Sequence, residues 1–263
     1  MAQTLTMYQV DAFTDRPFAG NPAAVLVLDE ALDEHLMKAI AAENNLPETA
    51  YAVAIDGGYQ LRWFTPTHEA AFCGHATLAT AHVLAHELGG TGPFCFQTQV
   101  GELTVTPEAA GYGMDLPAFA PEILSPEPAW VAALFPDGVR AVFENFENMF
   151  VELGSEAEVR AFTPDLAALA GTYDIDLCIT AEGEDTDFVS RYFAPRAGIP
   201  EDPVTGSTHA TLVPYWAERL GKTRFRARQV SPRGGSLIAT LLEGRVRLQG
   251  QAVTFLKGEI TLG

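Results

Sequence analysis

Phe72-Cys73-Gly74-His75-Ala76-Thr77-Leu78 is the stretch on which the fold turns, because its core, His75–Leu78, returns as His209–Leu212. The neighbours return with it. Arg62-Trp63-Phe64-Thr65-Pro66 precedes the first copy and Arg191-Tyr192-Phe193-Ala194-Pro195 precedes the second. Downstream, Leu88-Gly89 answers Leu220-Gly221, and Gln99-Val100 with Gly101-x-Leu103 answers Gln229-Val230 with Gly235-x-Leu237. Matched residues stay between 129 and 134 positions apart, and an ordered series at nearly constant offset marks a duplicated unit. Each copy reads as strand, glycine-containing loop, helix, strand. A loop that opens a helix offers unpaired N–H groups and the positive end of the helix dipole, a seat for a carboxylate. Two such seats suggest one anionic ligand held by two halves.

Composition agrees. A chain of 263 residues with 48% hydrophobic content can bury a large core, as one large domain or two of roughly 120–130 residues. Against 34 acidic side chains stand 16 basic ones, a formal net charge of −18 that repels nucleic acid and anionic membrane; neither is expected as a partner. Any anionic substrate must therefore be captured by local dipoles rather than by a global field. No apolar run approaches the roughly 20 residues of a membrane span, and the N-terminus lacks a basic-then-apolar signal pattern. Cys73, Cys95 and Cys178 are widely spaced and odd in number, which fits a reducing cytoplasm without a disulfide framework. No Gly-x-Gly-x-x-Gly or phosphate-binding loop appears, so no nucleotide site is expected.

In chain order, Tyr8–Thr14 and Ala24–Leu28 read as strands, the second entered through Gly20-Asn21-Pro22. A helix is expected from about Asp33 to Asn44 on the stripe Leu32, Leu36, Ile40, and Pro47 stops it. Glu48 then stands at the mouth of a strand over Thr49–Ile55, and Asp56-Gly57-Gly58 turns into the strand Tyr59–Phe64. The helix after Gly74 runs to about Leu88, and strands at Phe94–Thr98 and Leu103–Thr106 close the first half. Five prolines between Pro117 and Pro136 mark a crossover. Beyond it, Ser155 with Glu158 looks like a capping box. Pro164–Ala170 is a second helical piece, and Ile175–Ala181 and Phe188–Phe193 are strands. The loop Gly198–Gly206 leads to the helix Thr208–Leu220, and Ser236–Leu242, Arg245–Gln249 and Val253–Leu256 finish as strands. Strands alternating around one central helix per half argue for a mixed α+β fold rather than a doubly wound sheet.

Several further stretches, taken together, are specific: Tyr8-Gln9-Val10-Asp11-Ala12-Phe13, Gly20-Asn21-Pro22-Ala23-Ala24-Val25, Asn45-Leu46-Pro47-Glu48-Thr49-Ala50, Cys73-Gly74-His75-Ala76-Thr77 and Glu201-Asp202-Pro203-Val204-Thr205-Gly206-Ser207. With them the chain resembles the phenazine-biosynthesis-like (PhzF-type) isomerase family, within the diaminopimelate-epimerase-like fold, over nearly its whole length. The resemblance implies two similar domains, 1–117 and 118–263, each a curled mixed sheet around a helix, with the site in the cleft between them. It also implies cofactor-free proton transfer on a small carboxylic acid, and a homodimer. By family position Glu48 is the acid/base, His75 and Asp202 assist, and Asn21, Gly74, Gly206 and Ser207 line the ligand. Ala71 departs from the pattern, where many relatives carry an acidic residue, and this leaves the substrate open.

Each candidate also has a plainer reading. A Glu taken at random is a surface carboxylate; the place of Glu48 between a helix stop and a buried strand, with the family motif, reverses that. His75 at a helix start is expected to be neutral, because the dipole disfavours imidazolium there. Asp202 before Pro203 reads equally as a turn residue, and Ser207 as a donor rather than a nucleophile, since no strand–elbow pattern exposes it. Glu48 belongs to the first half only, because the corresponding stretch near Gly171–Asp174 carries no Glu. Cys73 at a helix start has the setting of an activated thiolate, but Pro203 or Val204 stands in its place in the second half and offers no partner thiol. His75, His82 and His86 share a helix face, yet the i, i+4 pair His82 and His86 needs a third ligand and an open position and none is evident nearby, so no metal is expected. The alternative function is a small-acid-binding or regulatory protein that keeps the cleft without turnover.

Overall fold

A computed structural model describes residues 3–262, which divide into two compact units. The first takes the residues up to Asp115 and those from Gln249 onward; the second is Leu116–Leu248.

In the first unit the strands are β1 (Gln3–Ala12), β2 (Asn21–Leu28), β3 (Glu48–Ile55), β4 (Gly58–Phe64), the short β5 (Glu69–Ala70), β6 (Phe94–Thr98), β7 (Gly101–Glu108) and β8 (Gly111–Pro117). Helix α1 (Glu34–Asn44) lies between β2 and β3, and α2 (Gly74–His82), prolonged by a π-helical turn at Val83–Glu87, lies between β5 and β6. Pairing runs β1 antiparallel to β2, β2 parallel to β3, β3 antiparallel to β4, β4 parallel to β6, and β6 antiparallel to β7. Side chains alternate between the two faces of a strand. Leu26, Leu28, Tyr51 and Phe64 share the face that packs on Met37, Ile40 and Ala41 of α1, and the Tyr51 hydroxyl donates to the Met37 carbonyl at 2.7 Å. Ala23, Glu48, Ala50 and Trp63 take the other face, where α2 is buried along its whole length. Wrapping apolar strands around such a helix contributes roughly 1.5–3 kcal/mol per large buried side chain.

The second unit repeats this plan. After β9 (Glu122–Ile123) and α3 (Trp130–Leu134) come β10 (Ala141–Glu144), β11 (Met149–Glu152), α4 (Glu156–Ala161), β12 (Leu177–Glu182), β13 (Phe188–Ala194), β14 (Ile199–Asp202), α5 (His209–Leu220), β15 (Arg224–Gln229), β16 (Gly235–Leu242) and β17 (Arg245–Gly250). The series is again antiparallel β10–β11, parallel β11–β12, antiparallel β12–β13, parallel β13–β15 and antiparallel β15–β16. The repeated arginines keep the repeated chemistry. Arg62 grips Glu69 through Nε and Nη2, both at 2.7 Å, and Arg191 grips Glu201 through the same atoms at 2.7 and 2.9 Å. The fold class is thus a mixed α+β with a large curled sheet, whose strands wrap a helix in each unit.

Three expectations need correction. The C-terminal strand Ala252–Leu262, assigned by sequence to the second half, pairs along β1 from Gln3↔Leu262 to Ala12↔Ala252 and belongs to the first unit. A strand edge left open is a pairing template, and this segment closes it. The stretch Gly198–Gly206 is only partly loop, since Ile199–Asp202 forms β14 on β13. Finally, Tyr51 faces Arg62 and Ile179 faces Arg191, so the register makes Asp176 the counterpart of Glu48. The second half therefore does carry a carboxylate there, held by Arg196 at 3.1 Å.

Candidate active site

The first unit assembles its site from three chain segments. Asn45, in the left-handed conformation at φ 49°, ends α1, and Glu48 enters β3 beside Ala23 of β2. Tyr51 faces α1, so strand alternation turns Glu48 to the opposite face, toward α2. Asn21 reaches the same face because the chain before it bends sharply at Gly20. There φ is +65° and a Cβ would lie 2.1 Å from the Ala12 carbonyl oxygen, so only glycine fits. Cys73, in extended backbone, precedes α2, and Gly74 and His75 form its first turn, where the N–H groups have no intrahelical acceptors.

These segments meet at His75. Its Nε2 lies 3.1 Å from Glu48 Oε2, its Nδ1 3.2 Å from Asn21 Nδ2 and 3.5 Å from Cys73 Sγ. With the amide placed to donate from Nδ2, the ring proton sits on Nε2, on the Glu48 side. Glu48 Oε2 and His75 Nε2 are close but out of hydrogen-bond alignment, and both are buried with no hydrogen-bond partner among the described residues. Glu48 Oε2 thus meets His75 by charge and proximity rather than by an aligned hydrogen bond.

Burial and then the Glu48 carboxylate push the Cys73 thiol up to about 11. Burial pulls His75 down, Cys73 and Glu48 pull it up, and the net direction is well above the ordinary imidazole value. Because the thiol is neutral at pH 7, the pull that stands is that of the carboxylate. The carboxylate at contact distance thus opposes burial and the helix dipole, which favour the neutral ring expected from the helix-start position. Glu48, Cys73 and His75 also bring potential metal ligands within 4.8 Å of one another. The imidazole, however, turns one nitrogen to the carboxylate and the other to the thiol, and an ion takes only one nitrogen along its lone pair. His82 does not complete the set, since its two nitrogens lie 3.1 Å from the Tyr112 hydroxyl and 3.0 Å from that of Thr254.

In the second unit Asp202, Gly206 and Ser207 come together between β14 and α5. The Thr205 hydroxyl donates to Asp202 Oδ2. Gln229 braces the turn by donating to the Asp202 carbonyl at 2.7 Å and accepting from the Thr205 N–H at 2.9 Å. Asp202 is thus a buried strand-end carboxylate rather than a simple turn residue. His209, the repeat counterpart of His75, is held differently. Its Nδ1 lies 2.9 Å from the Thr205 carbonyl and burial pulls its pKa down to about 4, so it is neutral and Nε2 carries the lone pair. The duplicated histidines differ because one has a carboxylate beside it and the other a carbonyl.

Sequence reasoning missed Trp63 and Asp176 on the faces that carry these groups, and Gln229 as the brace of the Asp202 turn. The signal for the first was present, since Trp63 answers Tyr192 in the repeat.

The phenazine biosynthesis-like protein family matches residues 10–258 of the chain. An uncharacterized isomerase of Pseudomonas aeruginosa is 46% identical over 260 residues, covering 98% of this chain and 99% of that one. The crystal structure of a PhzF-family protein from Enterococcus faecalis superposes with a TM-score of 0.94 at 43% identity, covering 98% of this chain and 99% of its own. A probable proline racemase of Agrobacterium radiobacter, at a TM-score of 0.65 and 10% identity over 98% of this chain and 93% of its own, shares the fold.

Proposed function

The chain belongs to the phenazine biosynthesis-like (PhzF-type) family and is an isomerase, and from that premise we propose that Glu48 moves a proton, without a cofactor, on a small carboxylate-bearing substrate. The observation that carries this reading is the buried Glu48 Oε2 without a hydrogen-bond partner. An unsatisfied buried acceptor costs about 1–3 kcal/mol, and a protein keeps one where function uses it.

A C–H beside a carboxylate or along a conjugated system is a poor acid. Its removal needs a placed base and a way to hold the charge that develops. Glu48 takes the proton and returns it to the other face or to another carbon, so atoms and charge balance over one turnover. His75, with Nε2 3.1 Å from Glu48 Oε2, holds the carboxylate in place. The helix-start N–H groups of Gly74 and His75 are donors for the developing anion. Asp202, held by Thr205, is the assisting carboxylate, and Asn21 serves the site by holding His75. The three free cysteines suit a reducing cytoplasm.

The test is deuterium uptake from heavy water over a panel of cyclic and amino-acid-like carboxylates, with binding measured separately. Glu48→Gln is expected to bind yet lose exchange by at least about a hundredfold, the scale of a general acid–base group. Near-wild-type exchange in that variant, on a substrate the wild type turns over, sinks the assignment. A protein that binds members of the panel and exchanges none would favour a non-catalytic acid-binding role instead.

A further inference from the structure

Trp63 and Tyr192 hold the same place in the two units. Each follows the duplicated arginine, and each faces away from the layer that arginine caps. Their surroundings differ systematically. Tyr192 lies across from Cys178 and Asp202, and its hydroxyl donates to Asn148 Oδ1 at 2.6 Å. In the first unit the register puts Ala50, Ala70 and Ala23 at those three positions. Three side chains around Tyr192 are thus cut back to methyl groups around Trp63, including the one that supplied the acceptor. The indole is 1% exposed and its Nε1–H has no hydrogen-bond partner among the described residues.

A buried donor without an acceptor is costly, and it persists where a group from outside the protein takes it. The place of Trp63 says which group. Ala50, its cross-strand partner, is two residues along β3 from Glu48 on the same face, so the indole and the base are diagonal neighbours, about 7–8 Å apart. The other side of the indole meets Phe72 edge-on, with centroids 6.2 Å apart, and Phe72 leads directly into Cys73-Gly74-His75. An indole N–H can only donate. Resting on the proton-transfer reading of Glu48, we propose that Trp63 is a specificity-determining residue whose N–H receives an oxygen acceptor of the substrate, a carboxylate or carbonyl oxygen set beside the carbon that exchanges its proton. The second unit, with Tyr192 satisfied by Asn148, has no such donor.

The experiment replaces Trp63 by β-(3-benzothienyl)alanine, which keeps the bicyclic shape and puts sulfur in place of the N–H, with Trp63→Phe as a second variant. Two readouts are taken: the urea midpoint of the unliganded protein, and deuterium exchange on each panel carboxylate that the wild type turns over. The expected result for the benzothienyl variant is an unchanged or higher urea midpoint, because the free protein loses no hydrogen bond. Exchange should show KM raised by roughly tenfold or more with kcat within a few-fold, the pattern of a lost binding contact. A lower midpoint in the benzothienyl variant, meaning that the N–H is bonded in the free protein, overturns the proposal, and so does an unchanged KM. If Glu48→Gln abolishes exchange while the Trp63 variants leave KM alone, only the indole assignment falls. If the wild type exchanges nothing in the panel, the proton-transfer reading falls instead. The indole is then judged by the 15N–1H resonance of Trp63, identified by its loss in Trp63→Phe. Movement of that resonance on titration with panel carboxylates supports the donor role, and no movement with any of them overturns it.

Discussion

At His75 the imidazole stands between a carboxylate and a thiol, and these two neighbours have opposite fates. Glu48 lies at contact distance and favours positive charge on the ring, whereas burial pushes the Cys73 thiol up to about 11 and leaves it protonated at neutral pH. A thiol in that state is a poor nucleophile and a poor base. Cys73→Ala is therefore expected to keep deuterium exchange within about tenfold of wild type. A hundredfold loss, with the circular dichroism spectrum unchanged, would restore a thiol mechanism.

Among the elements, the turn between β1 and β2 decides where Asn21 points. Gly20 has φ +65°, and a Cβ there would meet the Ala12 carbonyl oxygen at 2.1 Å, so the backbone must move to admit any other residue. Gly20→Ala is expected to cost about 1–3 kcal/mol of stability, read as a lower urea midpoint. It should also weaken exchange, because Asn21 carries the contact to His75 Nδ1 at 3.2 Å. Full stability together with full exchange in this variant would mean the turn is not the hinge on which Asn21 depends.

For the molecule as a whole, two buried histidines set an acid limit on stability. Burial lowers His82, with His86 assisting and Glu87 opposing, and burial lowers His209 against its carbonyl contact; both come to about 4. In the unfolded chain each titrates near its ordinary value of 6.5. Between those values the unfolded chain binds more protons, so stability is full above pH 6.5 and falls as pH drops toward 4. The raised His75 works the other way, its contribution being lost only as pH rises above its unfolded value. The urea midpoint is expected to fall across this acid window by the equivalent of about 1–3 kcal/mol per histidine, and His82→Gln should make the fall shallower. A profile that is flat through the window in wild type would contradict the buried, neutral state of both rings.

Much of the architecture was legible in the chain because it rests on local physics repeated twice. Strand alternation, the stop at Asn45-Leu46-Pro47 and the capping box of Ser155, whose Oγ accepts from the Glu158 N–H at 3.2 Å, all act over a few residues. The duplicated Arg-x-Phe and His-Ala-Thr-Leu segments carried the rest, since equal sequences fold into equal units; they drew attention to Gly74 and His75, whereas Asn21 and Glu48 came into view through the family resemblance. Tertiary structure alone decided what depends on pairing across the chain. The strand Ala252–Leu262 joins β1 rather than its sequence neighbours, because an edge is satisfied by whichever segment reaches it in register. Asp176 is the partner of Glu48 in the duplication only once the ladder is drawn, because a short shift in register hides it from the linear offset. The charge preference of His75 and the unsatisfied indole of Trp63 belong to the same class, since burial and the identity of the atom at contact distance are properties of the folded chain alone.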